Sequence, residues 1–207
     1  MARHVREKLH RPTRPVAAIR LDGGRLCLDF VNTIHDRYAA EPEDYISQPE
    51  RFIEWSARAG AYRSGEHISV PEATGQRTTL MRRVRTLRHH LHALLASRID
   101  GLPAPAEALQ CLDQWLHHAW ASQSLGADRH MHWRTRAHDA LLPLKRISLD
   151  ALDLISTASA SQLRRCSNTS SCGWLFLDVT KNQRRRWCAM ETCGTADKMN
   201  RYRRGDA

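Results

Sequence analysis

RRCSNTSSCGWLFLDVTKNQRRRWCAMETCGTADKMNRYRR, residues 164–204, is the stretch from which the rest of the chain is read. Four of the six cysteines fall inside it. Cys166 and Cys172 have five residues between them, Cys188 and Cys193 have four, and fifteen separate the two pairs. Two close pairs joined by a loop long enough for a hairpin can offer a metal four tetrahedral ligands, and thiolate is the protein ligand that structural zinc favours. The competing reading is four thiols that merely pack, since free cysteine is commonly buried. Their density, and a segment too small to hold together by its own core, favour zinc. Four protein thiolates leave no open position for water, so the expected ion is structural and not hydrolytic.

Gly173–Asp178 alternates Trp174 and Phe176 against Leu175 and Leu177 and reads as a strand. Asp178–Gln183 turns, Arg184–Trp187 is expected to return as a second strand, and Thr195–Arg204 reads as a basic helix. Loop, hairpin and helix around one metal make a treble-clef-like plan. Its cations are Lys181, Arg184, Arg185, Arg186, Lys198, Arg201, Arg203 and Arg204, candidates for DNA contact because the planar arginine fork suits phosphate and guanine. The bland alternative is a solvated basic face.

Charge supports a polyanionic partner. The chain of 207 residues carries a formal +10. Residues 1–20 carry +5 and residues 161–207 carry +6, while the 140 residues between them carry −1. Nucleic acid is favoured over an anionic membrane. No stretch approaches the roughly 20 apolar residues of a membrane span, and the basic N-terminal segment lacks the apolar core of a secretory signal. A cytoplasmic protein, nucleoid-associated when bound to DNA, is expected. In that reducing compartment clustered cysteines suggest metal and not disulfides.

The rest of the chain reads as mainly helical, an α+β fold with a small hairpin. Residues 1–18 are expected to be a flexible basic arm, 19–160 a helical body and 161–207 the finger. Asp22-Gly23-Gly24 predicts a turn between strands Ile19–Asp22 and Arg25–Leu28, with a helix opening over Asp29–His35. Ser47-Gln-Pro-Glu50 and Ser69-Val-Pro-Glu72 look like capped helix starts. Leu80, Val84, Leu87, Leu91, Leu94 and Leu95 form an apolar stripe, which places Arg82, Arg83, Arg85 and Arg88 on the solvent side. Glu107–Leu125 predicts a helix with Leu109, Leu112, Leu116 and Trp120 inward, and Leu141–Thr157 another.

Cys172-Gly-Trp-Leu-Phe-Leu-Asp178, Thr180-Lys-Asn182, Arg185-Arg-Trp-Cys188, Met190 and Cys193-Gly194 resemble the CGNR zinc finger, and Leu26-Cys-Leu-Asp-Phe-Val-Asn-Thr33 resembles the signature of the ABATE domain that precedes it in that family. The resemblance implies a stress-induced transcriptional regulator with DNA binding in the finger and a sensing role in the body. One departure stands out: the family's Asn and Arg after Cys193-Gly194 are Thr195 and Ala196 here, where Thr195 is expected to cap the helix.

Asp29, Asn32 and Thr33 are polar residues in an apolar run. They line a small-molecule pocket or, more commonly for such residues, cross-link a core. The histidines form no ligand pattern. The function expected is a DNA-binding regulator with one zinc, a body that senses a small-molecule effector or forms a homodimer, and no membrane association. The alternative is a zinc-stabilised module that docks on protein or RNA. No nucleophile–base pair, carboxylate dyad or phosphate-cradling loop suggests an enzyme.

Overall fold

The leucine stripe becomes the spine of the body. In the computed structural model, which describes residues 14–63, 66, 68–134, 139–159, 161–169 and 171–204 (Arg204 by its backbone only), α1 spans Leu26–Val31, α2 Pro49–Arg58 and α3 Thr74–Ile99. α3 buries Leu80, Val84, Leu87, Leu91, Leu94 and Leu95 along one side, each side chain worth about 1.5–3 kcal/mol of apolar transfer. α4 (Ala106–Ala121) packs against α3 and against α5 (Leu142–Thr157), and α1 lies between α3 and α5. Three two-stranded antiparallel ladders decorate the helices: β1 (Ile34–His35) with β2 (Glu43–Asp44), β3 (Gln123–Leu125) with β4 (Met131–Trp133), and β5 (Leu163–Arg165) with β6 (Leu175–Leu177). α6 is Thr195–Arg204. No helix of the described residues is long and apolar enough to cross a membrane.

Several local expectations change. The turn at Asp22-Gly23-Gly24 exists, but the residues after it form α1 and not a strand. Cys27, Leu28, Phe30 and Val31 are all buried, and neighbours buried on both sides do not suit a half-exposed hairpin. Asp29 Oδ1 accepts the Gly23 amide at 2.8 Å, which folds the turn onto the helix. A Cβ on Gly23 would lie 2.7 Å from that of Leu28. α2 begins at Pro49 behind Gln48, and α3 at Thr74 behind Ala73, neither with a side-chain cap. The backbone of Ser47 instead accepts from Arg85. α4 ends at Ala121 and buries Ala108, Cys111, Leu112, Trp115, Leu116 and Ala119. Leu109 and Trp120 are about half exposed, because the small Ala108 and Ala119 face inward in their place. Val16 and Ile19 are buried, so the chain is docked from Val16 onward. Of the expected arm, residues 1–13 lie outside the described residues.

Body and finger share one core. Asn32 joins them: its Nδ2 donates to the Leu175 carbonyl at 2.8 Å and its Oδ1 accepts the Leu175 amide at 2.9 Å. The side chain thereby pairs with β6 as a strand residue would. The Leu177 amide donates to the Gly23 carbonyl at 2.9 Å. Thr33 donates to the Phe30 carbonyl and accepts from Arg88 at 2.9 Å. Arg88, expected on the solvent side, is buried and forms two bonds to Asp44, 2.8 and 2.6 Å. Its charge is paired and its fork filled, the condition under which burial is tolerated.

Two predictions follow from α1. Asn32→Ala orphans a buried amide and a buried carbonyl, so it should cost about 2–4 kcal/mol. Denaturant unfolding reads this, and a loss under about 0.5 kcal/mol would contradict the joint. Burial, with Asp22 and Asp150 nearby, lifts the Asp29 carboxyl to about 7. The folded chain thus holds a proton that the unfolded chain has lost, and stability falls as pH rises from about 4 to 7. Asp29→Asn keeps the acceptor for Gly23 and removes the charge. It should be more stable than wild type by about 1–2 kcal/mol at pH 8 and equal to it near pH 4, as thermal unfolding across that range would show.

Candidate metal centre and nucleic-acid interface

The finger grows out of the β5–β6 ladder. Cys166 follows β5 directly, and its amide donates to the Trp174 carbonyl at 2.8 Å. The Gly173 amide returns to the Asn168 carbonyl at 3.2 Å and closes the knuckle that carries Cys172. Gly173 has φ +70°, a conformation that favours glycine, and a Cβ there would displace the Tyr38 ring, 2.4 Å away. Beyond Cys188 the chain makes a π-helical turn, Met190–Gly194, in which the Cys193 and Gly194 amides share the Ala189 carbonyl at 3.1 and 3.2 Å. This wide turn brings Cys193 back beside Cys188.

The four sulfurs of Cys166, Cys172, Cys188 and Cys193 lie within 4.8 Å of one another. Cys188 is 3.6 Å from both Cys172 and Cys193. All four are buried and none is in a disulfide. A tetrahedral zinc with bonds of about 2.3 Å needs sulfurs about 3.8 Å apart. The donor set fits one structural Zn2+, which would be held by these four residues with no vacancy. Crowding also calls for a cation. Hydrogen bonds among the sulfurs pull the Cys166 thiol down to about 7 and Cys193 lower still. The same contacts push Cys172 and Cys188 well up. The four cannot all ionise by themselves.

The strand expected over Arg184–Trp187 is absent. β6 pairs instead with β5, upstream of the first cysteine, in the register Leu163↔Leu177, Arg164↔Phe176 and Arg165↔Leu175. Asp178 explains the difference. Its carboxylate is fully buried and accepts the Thr180 amide at 3.0 Å, the Thr180 hydroxyl at 2.6 Å and the Arg185 amide at 2.8 Å. Burial alone would raise its pKa, but these bonds outweigh it and hold the carboxyl below its ordinary value. A loop organised around one carboxylate leaves no free backbone for a ladder.

This arrangement divides the candidate arginines. Arg185 is turned inward: its guanidinium donates to the carbonyls of Trp187 and Cys188 and lies 4.7 Å over the Phe176 ring. It braces the metal loop. Arg186 is exposed and stacks at 4.9 Å on Trp187. Lys181, Arg184, Lys198, Arg201 and Arg203 are exposed, with Arg201 3.3 Å from Asp197. The Arg204 side chain lies outside the described residues. α6 is only half covered at Ala196, Asp197 and Asn200 and otherwise stands open to solvent. Thr195 does not cap it, because its hydroxyl donates back to the Met190 carbonyl at 3.3 Å.

Three basic residues outside that candidate set matter. Arg20 of the body donates to Thr192 and reaches the Cys188 sulfur at 4.0 Å, with its guanidinium 5.4 Å over Trp174. Four thiolates and one zinc carry a formal −2, and this cation offsets it from across the joint. Arg164 and Arg165 join Arg185 and Arg186 around a cleft of about 310 Å³, completed by Ser161, Ser167, Leu163 and Ile99. Arg165 also bonds Asp100 at 2.8 Å. The signal was the Arg164-Arg165 pair before Cys166, whose partners, the Gln183 carbonyl and Asp100, appear only once β5 is in place. Asp29, Asn32 and Thr33 are engaged in the contacts of α1 described above. Among the described residues, no histidine joins a second cluster able to hold a metal.

A strong chelator should remove one equivalent of zinc and unfold the C-terminal module, because metal binding in such modules supplies about 10–16 kcal/mol of apparent free energy. Metal analysis with far-UV circular dichroism measures both, and freshly purified reduced protein without zinc would contradict the site. Arg185→Ala should speed zinc loss to a chelator severalfold, whereas Arg184→Ala should leave it unchanged. Equal rates in the two variants would remove the bracing role.

Comparison with known families agrees with this geometry. Residues 24–158 match the ABATE family, described as "putative stress-induced transcription regulator", and residues 162–205 match the CGNR zinc finger. Neither is an enzyme family. No curated protein matches the chain. With most of its length covered by the first match and the four-cysteine cluster inside the second, the chain belongs to the ABATE family and carries a CGNR zinc finger after the ABATE domain.

Proposed function

We propose that the protein is a DNA-binding transcriptional regulator whose finger grips the duplex with α6 and with the arginine cleft beside it. The observation that carries this reading is an exposed ten-residue basic helix seated on a closed metal site, in a finger whose arginine cleft, among the described residues, is lined by no carboxylate and presents Arg186 unpaired while Arg165 is held by Asp100. A helix about 15 Å long fits the major groove. Lys198, Arg201 and Arg203 stand on its open faces, while Lys181, Arg184 and Arg186 meet the flanking phosphates. Arg185 is a positioning residue in this scheme. The ABATE body senses a small effector or joins two copies of the chain.

A second reading, docking on protein or RNA, draws on Met199 and Tyr202, three residues apart on α6 and 49% and 76% exposed. Fluorescence anisotropy with random duplex DNA at several salt concentrations separates the two. DNA binding should weaken with salt at a log–log slope of about −0.9 per phosphate neutralised. Lys198→Ala and Arg184→Ala should each reduce the slope by about 1 without releasing zinc. Salt-independent binding, or affinity unchanged in both variants, would overturn the DNA reading.

A further inference from the structure

The body carries a groove whose lining differs in charge from the body as a whole. It runs between α3, α4 and the start of α5 and encloses about 470 Å³. Its floor is Cys111, Trp115 and Leu141, the first two each 8% exposed. Arg82, Arg83 and Lys145 stand around it. A second cavity of about 330 Å³ continues past Arg83 and Leu141 along Pro71, Leu80 and Ala140. No carboxylate lines either cavity among the described residues, although acidic groups slightly outnumber basic ones over residues 21–160.

The cations are not equivalent. Lys145 is paired with Asp139 at 2.7 Å and is largely buried. Arg82 and Arg83 are exposed and make no ion pair with any described residue. The leucine stripe explains why they are on this side of α3, but it does not explain why a concave apolar surface lies beneath them. Volumes of this size lie in the range of small-molecule sites, which are mostly apolar with a few placed polar groups. An apolar floor with two unpaired guanidinium groups at its rim suits one ligand class: an apolar body ending in a single anionic group. Thr86, Gln114, His118 and Ser122 complete the polar lining and can meet the second oxygen of one anionic group, whereas oxygens of a polyphosphate laid along the floor would face Trp115, Cys111 and Leu141.

We propose that this groove binds an amphipathic carboxylate, its apolar end laid on Trp115, Cys111 and Leu141 and its carboxylate held by Arg82 and Arg83. The site gives a place and a chemistry to the effector reading of the body and is independent of DNA binding by the finger.

Isothermal titration of the zinc-loaded full chain with sodium decanoate, below its micelle concentration and without DNA, tests this. Saturable binding near one per chain is expected, with decanol at least ten-fold weaker because it lacks the charge. Arg82→Glu with Arg83→Glu changes only exposed positions and should weaken decanoate at least ten-fold. Cys111→Trp should fill the floor and abolish binding. If Cys111→Trp does not fold by circular dichroism, the charge variant decides. No binding at millimolar decanoate, equal binding of decanol, or undiminished binding in the charge variant would each overturn the proposal. Any of these would leave the DNA reading untouched, since anisotropy measures that separately.

Discussion

Four sulfurs held within 4.8 Å of one another in a buried volume are a demand for a dication. Without one, the first thiols to ionise suppress the rest. With one, two loops and a π-helical turn that bury little of their own are fixed in a single arrangement. Everything downstream depends on that fixity. α6 has few contacts with the body and is held mainly through the turn that carries Cys193, so its direction is set by the metal site and not by packing. The proposed reading of α6 as a groove helix requires this: such a helix must be aimed from its base while its sides stay bare.

The base is itself anchored in the body. Asn32 substitutes for a strand next to β6, Tyr38 covers Gly173, and Arg20 reaches over to the thiolates. These contacts all leave the body from α1 and the segments flanking it. α3 runs about 39 Å from beneath the carboxylate groove to Ile99 and Asp100 beside the arginine cleft. One rigid helix therefore borders both candidate sites.

The features readable in the sequence were those whose physics is local. Ligand spacing gave the four cysteines, a period of three to four gave α3 and α5, and a basic run gave α6. What escaped reading depended on contacts distant in the chain. The strand Leu175–Leu177 was legible from its alternation, but its partner Leu163–Arg165 lies on the other side of Cys166 and carries no strand signal of its own. Asp29, Asn32 and Thr33 stood out as polar residues in an apolar run. Their work, closing the Gly23 turn and pairing with Leu175 and Arg88, needed the fold to be seen. Arg88 looked like one more solvent arginine until Asp44 appeared opposite it.

The same distinction decides which arginines remain for a polyanion. Eight cations of the finger looked interchangeable as charge. Arg185 is not among those left free, because its guanidinium closes the loop around Cys188. Arg201 is half engaged with Asp197. The first turn of α6 offers Thr195 and Ala196 where the CGNR pattern has a polar and a cationic residue, so the first positive group along this helix is Lys198. The end of α6 seated on the metal turn offers no cation before Lys198, whereas its free end carries Arg201 and Arg203. A partner approaching its side would meet Lys198 and Arg203, with Arg186 at the arginine cleft, where Arg165 is already paired with Asp100 and Arg164 with the Gln183 carbonyl and Asp178. Sideways approach is also how a helix lies along a groove, with its flank toward the bases and the cations beside it against the phosphates. On the proposed DNA reading, the free charge is therefore presented from Lys198 outward along the side and the free end of α6, and by Arg186 on the loop before Cys188.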